Sequence, residues 1–294
     1  MNNLDFYNEV INSEICPSNF SDIYRNFLNY QKIAFDTLVE FRNVCIKNGI
    51  KYQLAYGSLL GAIRDNGQIP WDYDVDVFVL YEDRDTLINA LRNDLHKDFY
   101  FYCIEEDKKC RHFTLRVCPK GFDLLYFHVD VFFLIGSPEN IEERRSYAKR
   151  VEEVSYMRMH KMMKIFPLMS YNPRFNFNII KGKIKTLLIT SDSLINEYRK
   201  LCGMYSVKAS SFLVTADTFS TWYTFPKEIL ETNTININKI EFSIPSNYAD
   251  VLNQIYGDYN KIPPLNKRLK ELLYHYRRIE KYGKLNKNHN DIKI

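Results

Sequence analysis

The chain has 294 residues, 46% apolar and 26% charged, enough to build one large core or two modest ones and ordinary for a globular protein. A net charge of +4 is too small for an electrostatic nucleic-acid binder, while phosphorylated ligands stay compatible. MNNLDFYNEVINSEI lacks the basic start and apolar run of a secretory signal, and no stretch reaches ~18 uncharged apolar residues, so we expect a cytoplasmic chain without a transmembrane helix.

Residues 20–48 read as a helix opened by Ser21 as N-cap, with Ile23, Phe27, Tyr30, Ile33, Ala34, Leu38, Phe41 and Cys45 at helical spacing and Asn48-Gly49 as the stop. Ile50–Tyr56 reads as a first strand, followed by a Gly57-Ser58 turn, a short helix and a loop at Gly67. A second strand runs from Asp74 to Leu80, and a helix from Asp85 to Asp94. Phe99–Ile104 and Arg111–Cys118 predict a hairpin around the charged loop EEDKK. The six Cys (16, 45, 103, 110, 118 and 202) form no CxxC pair and read as reduced thiols; Cys103, Cys110, His112 and Cys118 fit no compact zinc site. Phe127–Ile135 is a mostly apolar strand interrupted by Asp130 and closed by Gly136-Ser137-Pro138.

From 139 the pattern turns helical and charged through 165, breaks at Asn172-Pro173, and resumes as a basic, then amphipathic run over Phe177–Tyr205. The tail carries Phe225-Pro226-Lys227, one strand over Ile235–Ile244, a helix opened by Pro245 and closed at Tyr256-Gly257, and a last helix from Pro263-Pro264 to about Tyr282. The Asn/Lys-rich end reads as frayed. The layout predicted is one α+β domain spanning 1–294: a core over 20–138, a helical insertion over 139–215, and a strand with helices over 216–282 that completes the domain.

The chemistry concentrates between Tyr56 and Tyr81. Asp72, Asp74 and Asp76 stand at spacing two, on one face of an extended segment, with Cα atoms about 6.6 Å apart per step. Three like charges side by side repel, whereas the other face (Val75, Val77, Val79) is apolar and builds core. Asp130, alone among the apolar residues of VDVFFLI, adds a carboxylate from a second strand. Two carboxylates of the row with Asp130 offer the oxygen-rich shell that Mg²⁺ prefers, with Mn²⁺ as an alternative, and leave positions open for phosphate oxygens; the other reading is a solvated acidic strand end with Asp130 paired to an Arg. Gly57 and Ser58 stand where a strand hands over to a helix, a place for phosphate to dock. Arg64 has two readings, a phosphate ligand or an ion pair within the acidic row. Trp71 either walls a nucleotide or packs its loop. Arg111, His112 and Arg116 either reach phosphates or form a solvated basic strand.

The string GSLLGAIRDNGQIPWDYDVDV at 57–77 resembles, nearly residue for residue, the signature of the LicD family of phosphotransferases, to which fukutin and fukutin-related protein also belong. HVDVFFLIGSP at 128–138, FPKEIL at 225–230 and IPSNYADVLNQIYGDYNKIPP at 244–264 agree in order, so the similarity spans roughly residues 50 to 265. Members commonly carry Asp where this chain has Tyr73; Tyr73 alternates to the other face and leaves the row intact. The resemblance implies a nucleotidyltransferase-like mixed sheet flanked by helices. It also implies transfer of a phosphorylated alcohol, of the phosphocholine or ribitol phosphate kind, from a CDP-linked donor to a hydroxyl of a glycan or lipid-linked glycan. Carried onto this sequence, Asp74, Asp76 and Asp130 hold Mg²⁺ with Asp72 in support, Gly57, Ser58, Arg64 and Trp71 face the donor, and Asp130 or Asp76 takes the acceptor's proton. Tyr256-Gly257-Asp258 reads as a helix end with a structural role.

Two other function classes fit the same residues: nucleotidyl transfer to a protein, small molecule or RNA, and a non-catalytic glycan- or nucleotide-binding module. The full signature argues against the first and the retained acidic row against the second. The basic stretch over 149–189, NIIKGKIKTLLI in particular, is either a solvated helix face or a peripheral contact with the inner face of an anionic membrane.

Overall fold

The computed structural model describes residues 1–123, 127–163 and 173–283. Its spine is α2 (Phe20–Lys47), which buries Phe27, Ala34, Leu38, Phe41 and Cys45 along one face at the expected spacing. The helix begins one residue before Ser21, at Asn19 as cap. Ser21 already lies inside the helix, its hydroxyl 2.8 Å from the Tyr7 hydroxyl of a helix the sequence did not announce, α1 (Asn3–Ile11). That helix is short, but Asn2 and Asp5 close a capping box at its start, and Phe6 and Val10 are buried against the rest.

Seven strands make one mixed sheet. β1 (Tyr52–Leu54), β2 (Val75–Leu80), β5 (Val129–Gly136), β4 (Leu115–Pro119) and β3 (Phe99–Tyr102) lie in that order; β6 (Phe212–Thr215) pairs with β5, and β7 (Phe225–Pro226) with β6. β2 and β5 run parallel at the centre and every other pair is antiparallel. The parallel pair needs the long crossover through α4 (Arg84–Asp94) and the β3–β4 hairpin. In this register Asp76 sits beside Asp130, and Asp130 beside Arg116.

The insertion consists of α5 (Ile141–Met162), α6 (Pro173–Lys185) and α7 (Ser191–Cys202), but it ends before 215: β6 belongs to the central sheet. Four residues are too few to reveal a period, so the strand was hidden in a helical stretch. Arg158 of α5, fully buried, donates to the carbonyls of Cys110 and Lys108 and to the Ser191 hydroxyl, stapling the insertion to the loop before β4. The thiols of Cys103, Cys110 and Cys118 are buried and unbridged, in agreement with reduced cysteines.

The single strand expected over 235–244 is a hairpin, β8 (Thr232–Ile237) and β9 (Ile240–Pro245). Asn238 and Lys239 take the left-handed region, φ +51° and +68°, which gives the tight two-residue turn that twist favours. Pro245 therefore closes β9, and α8 (Tyr248–Tyr256) starts three residues later. α9 (Leu265–Arg278) runs on through a π turn to Gly283. Among the described residues no helix is long and apolar enough to cross a membrane. The expected break at Asn172 and the expected frayed end lie outside the described residues.

The turn after α3 (Tyr56–Leu60) is tightly fixed. A Cβ on Gly61 would lie 2.6 Å from the Gly67 carbonyl oxygen and 3.0 Å from the Ile69 nitrogen, so only glycine lets the loop fold back over the helix. Gly61→Ala is therefore expected to cost about 1–3 kcal/mol through overpacking, read as a lowered midpoint in urea unfolding at unchanged slope. An unchanged midpoint would show that the loop does not hold this position.

Candidate active site

β1 passes into α3 through Ala55, and Tyr56 adopts φ +41°, a conformation costing on the order of 1–3 kcal/mol for a residue with a side chain. Packing enforces it: the Tyr56 ring lies 5.2 Å from Phe78, 5.0 Å from Phe132 and 6.0 Å from Tyr223. The distortion brings Gly57 against the acidic row, where a Cβ would sit 3.3 Å from Asp72 Oδ2. Ser58 Oγ accepts the backbone N–H of Asp76 at 2.9 Å, which ties α3 to β2 and leaves the hydroxyl proton free to donate. Gly57, Ser58, Asp72 and Asp74 line one narrow cleft.

The loop into β2 is held from outside. Buried Gln31 of α2 donates to the carbonyls of Ile69 (2.8 Å) and Asp72 (2.6 Å), and the Asp74 N–H reaches Asp72 Oδ1 at 3.2 Å. Trp71 is 3% exposed, packed on Phe6 with the Arg64 and Arg268 guanidinium groups over its ring at 5.5 and 5.2 Å. Arg64 pairs with Asp65 at 2.7 Å, and the terminal amine of Met1 meets the same carboxylate at 3.1 Å. Both residues, expected at the donor, are thus placed in packing and ion pairing. Arg64's partner is Asp65 and not the acidic row, because the helix turns that side inward.

Asp72 and Asp74 meet a residue that sequence reasoning missed, His275 of α9: one ligand atom from each lies within 4.8 Å of the others, a candidate metal site. The tail helix offered no signal for it, since a lone His among Lys, Arg and Tyr has no motif. Tyr73, expected to alternate to the other face, instead stays at the row: it is buried against Phe127, sets its ring edge-on to His275 at 5.2 Å and hydrogen-bonds the Asp74 carboxyl. Asp76 and Asp130 lie beside this group, neighbours in the parallel register. Asp130 is already engaged, accepting from Arg116 Nε at 2.8 Å and facing His128 Nε2 at 2.9 Å. Arg116 is consequently neither solvated nor free for phosphate.

The electrostatics follow from this packing. Burial opposes ionisation of Asp130, yet Arg116 and then His128 hold its carboxyl well below the usual range. Asp76 has the reverse balance: desolvation, then the charges of Asp130, Asp74 and Asp72, push it well above that range. Desolvation by the surrounding groups, then the charges of Asp72 and Asp130, push Asp74 up to about 8, although one side of it stays open to solvent. Burial lowers His112 to about 3, so that it stays neutral. Surplus negative charge around Asp72, Asp74 and Asp76, with one imidazole, is a donor set that fits a divalent cation.

Comparison with known proteins points the same way. Residues 49–172 match the family described as LicD/FKTN/FKRP, nucleotidyltransferase domain. Those residues carry the chain's likeness to the LicD family. It is similar to lipopolysaccharide cholinephosphotransferase LicD of Haemophilus influenzae, 26% identical over 80% of this chain and 91% of that protein. It is also similar to the human ribitol 5-phosphate transferase FKRP, 57% identical over 35 residues, which are 12% of this chain and 7% of that protein. The LicD signature and the mixed sheet thus occur together, as the sequence led us to expect.

Beyond Asp130 lies a cavity of about 340 Å³ lined by Arg116, Phe132, Tyr156, Asp217 and Phe219 among others. Asp217, buried in the segment after β6, accepts the Phe219 N–H with Oδ1 and has no partner on Oδ2; burial pushes its carboxyl up to about 7. No motif marks Asp217 in the sequence.

The raised acids imply a pH dependence. Asp74 ordinarily titrates near 3.8 and here near 8, so between those values the folded, metal-free protein binds more protons than the unfolded chain. Its stability must fall as pH rises across that window. Added Mg²⁺ is expected to raise the thermal midpoint more at pH 8 than at pH 5, and Asp74→Asn to shrink the difference. An equal rise at both pH values would remove the charge-repulsion account.

Proposed function

We propose that this chain is a LicD-family, divalent-cation-dependent transferase that moves a phosphorylated alcohol from a CDP-linked donor to a glycan hydroxyl. The observation that carries the reading is the meeting of Asp72, Asp74 and His275, with Asp72 and Asp74 on the cleft that Ser58 also lines and the Asp76 N–H on the Ser58 hydroxyl. Similarity over nine-tenths of a cholinephosphotransferase supports it. Asp72, Asp74 and His275 would hold the ion; the carboxylates suit Mg²⁺, and the imidazole also admits Mn²⁺. When bound, the cation neutralises the donor's diphosphate and the departing charge.

The chain's own groups do the rest. The acceptor oxygen attacks the phosphorus that bears the alcohol, the bond to CMP breaks, and CMP leaves with its electron pair. Asp76 as its carboxylate takes the hydroxyl proton, and its surroundings favour the protonated form that results; Asp130 is too firmly ionised by Arg116 to compete. Ser58 donates to a phosphate oxygen beside Gly57, where the lack of a side chain admits the diphosphate. The cavity beyond Asp130 receives the alcohol. Asp217 with Phe132, Phe219 and Tyr156 forms an acidic, aromatic wall there, suited to a quaternary ammonium rather than a polyol.

With Mg²⁺ and a panel of CDP-alcohols, CMP release is expected, greatest with CDP-choline. Asp76→Asn is expected to lower turnover at least about 100-fold with the thermal midpoint retained. Pyrophosphate release from a nucleoside triphosphate would favour nucleotidyl transfer instead. Full activity in Asp76→Asn would sink the assignment of the base.

A further inference from the structure

α6 and the turn that follows it present an apolar strip to solvent. Phe177, Ile180, Ile184, Leu187 and Leu188 are 64, 40, 63, 72 and 99% exposed. Continued at helical spacing, the five positions fall within an arc of about 100°. The opposite side holds the helix down. Ile179 and Thr186 are buried, Gly182 lies so close to the His160 ring that a Cβ would meet it at 2.4 Å, and Lys161 Nζ donates to the Thr186 carbonyl at 3.0 Å. The docking on α5 therefore fixes the rotation of α6 with its aliphatic residues outward. A contiguous group of large exposed aliphatics marks an interaction surface.

Charge identifies what the surface meets. Residues 173–190 contain Arg174, Lys181, Lys183 and Lys185 and no acidic residue. Lys181 and Lys185 are exposed on one flank of the strip, and Lys183 lies on the other with its ammonium on the Lys161 carbonyl. A second copy of the chain, meeting this face through the same face, would set lysine against lysine. An anionic bilayer satisfies both features, taking the aliphatic strip at the acyl boundary and the ammonium groups among lipid phosphates.

We infer that α6 is an interfacial helix that seats the enzyme on an anionic lipid surface through Phe177, Ile180, Ile184, Leu187 and Leu188, flanked by Lys181 and Lys185. This goes beyond the transfer reaction and does not depend on it: the surface lies on the insertion, and none of these residues lines the acidic cleft or the cavity beyond it.

The test is sedimentation of the full chain with vesicles of phosphatidylcholine alone and of phosphatidylcholine with phosphatidylglycerol. Binding to the anionic vesicles is expected, falling as salt rises, with little binding to the neutral ones. The double variant Ile184→Glu/Leu188→Glu, altered only at exposed positions, is expected to bind at least about tenfold more weakly at an unchanged thermal midpoint. Lys181→Glu/Lys185→Glu is expected to lose about fivefold per lysine on anionic vesicles alone. Failure of the native chain to bind anionic vesicles at low salt overturns the inference, as does equal binding by the double variant. Concentration-dependent dimers abolished by Ile184→Glu/Leu188→Glu, without vesicle binding, would instead assign the face to a second copy.

Discussion

The parallel pairing of β2 with β5 places Asp76 directly beside Asp130, strands about 4.8 Å apart, and the site is organised around that confrontation. Two ionised carboxylates at that spacing repel in any medium, and more strongly in a cleft that excludes water. The chain answers one of them. Arg116, brought alongside by the antiparallel β4, and His128 from the start of β5 fix Asp130 as a carboxylate. With Arg116 committed there, Asp76, Asp74 and Asp72 are left with surplus negative charge. The opposite directions in which Asp130 and Asp76 are pushed are two results of one arrangement.

Such a row holds its shape only if the backbone around it is rigid, and much of the molecule's periphery serves that end. Gln31 clamps two carbonyls of the loop before β2, and the Ser58 hydroxyl clamps the start of the strand. Behind them Trp71 is enclosed by Phe6 of α1 and by Arg268 of α9, while Arg268 itself is paired with Glu9. The two chain ends thus brace the loop, and α9 carries His275 to the acidic row in doing so. The φ of Tyr56 belongs to the same pattern, since strain of that kind persists only where packing over-determines it.

The insertion is fastened differently. Arg158 is buried on backbone carbonyls of the loop before β4, and α7 stacks Tyr198 on Phe113 with ring centroids 3.8 Å apart. These contacts close one side of the cavity beyond Asp130 and orient α6 with its aliphatic residues outward. A segment that looks peripheral in sequence therefore shapes both a wall of the site and the outer surface of the protein.

The amino-acid sequence by itself determined the local features: the period of α2, the strand carrying the acidic residues, the Gly57-Ser58 turn and the LicD signature. Each is written in neighbouring residues, as apolar periodicity or as side-chain types at fixed spacing, and so needs no knowledge of distant chain. The hairpin turned at Asn238-Lys239 and the four-residue β6 escaped that reading because one shows its turn only as a slip of phase, from Ile235 and Ile237 to Ile240, Phe242 and Ile244, and the other was too short to show any alternation. What only the tertiary structure decided is which groups answer the acidic row. Arg116 and His275 reach it across 40 and 201 residues from Asp76 and Asp74, and Arg64 and Trp71, adjacent in sequence, turn away into packing. Partnerships of that kind are set by strand register and helix docking, and these depend on the whole chain's burial rather than on the residues at either end of the contact.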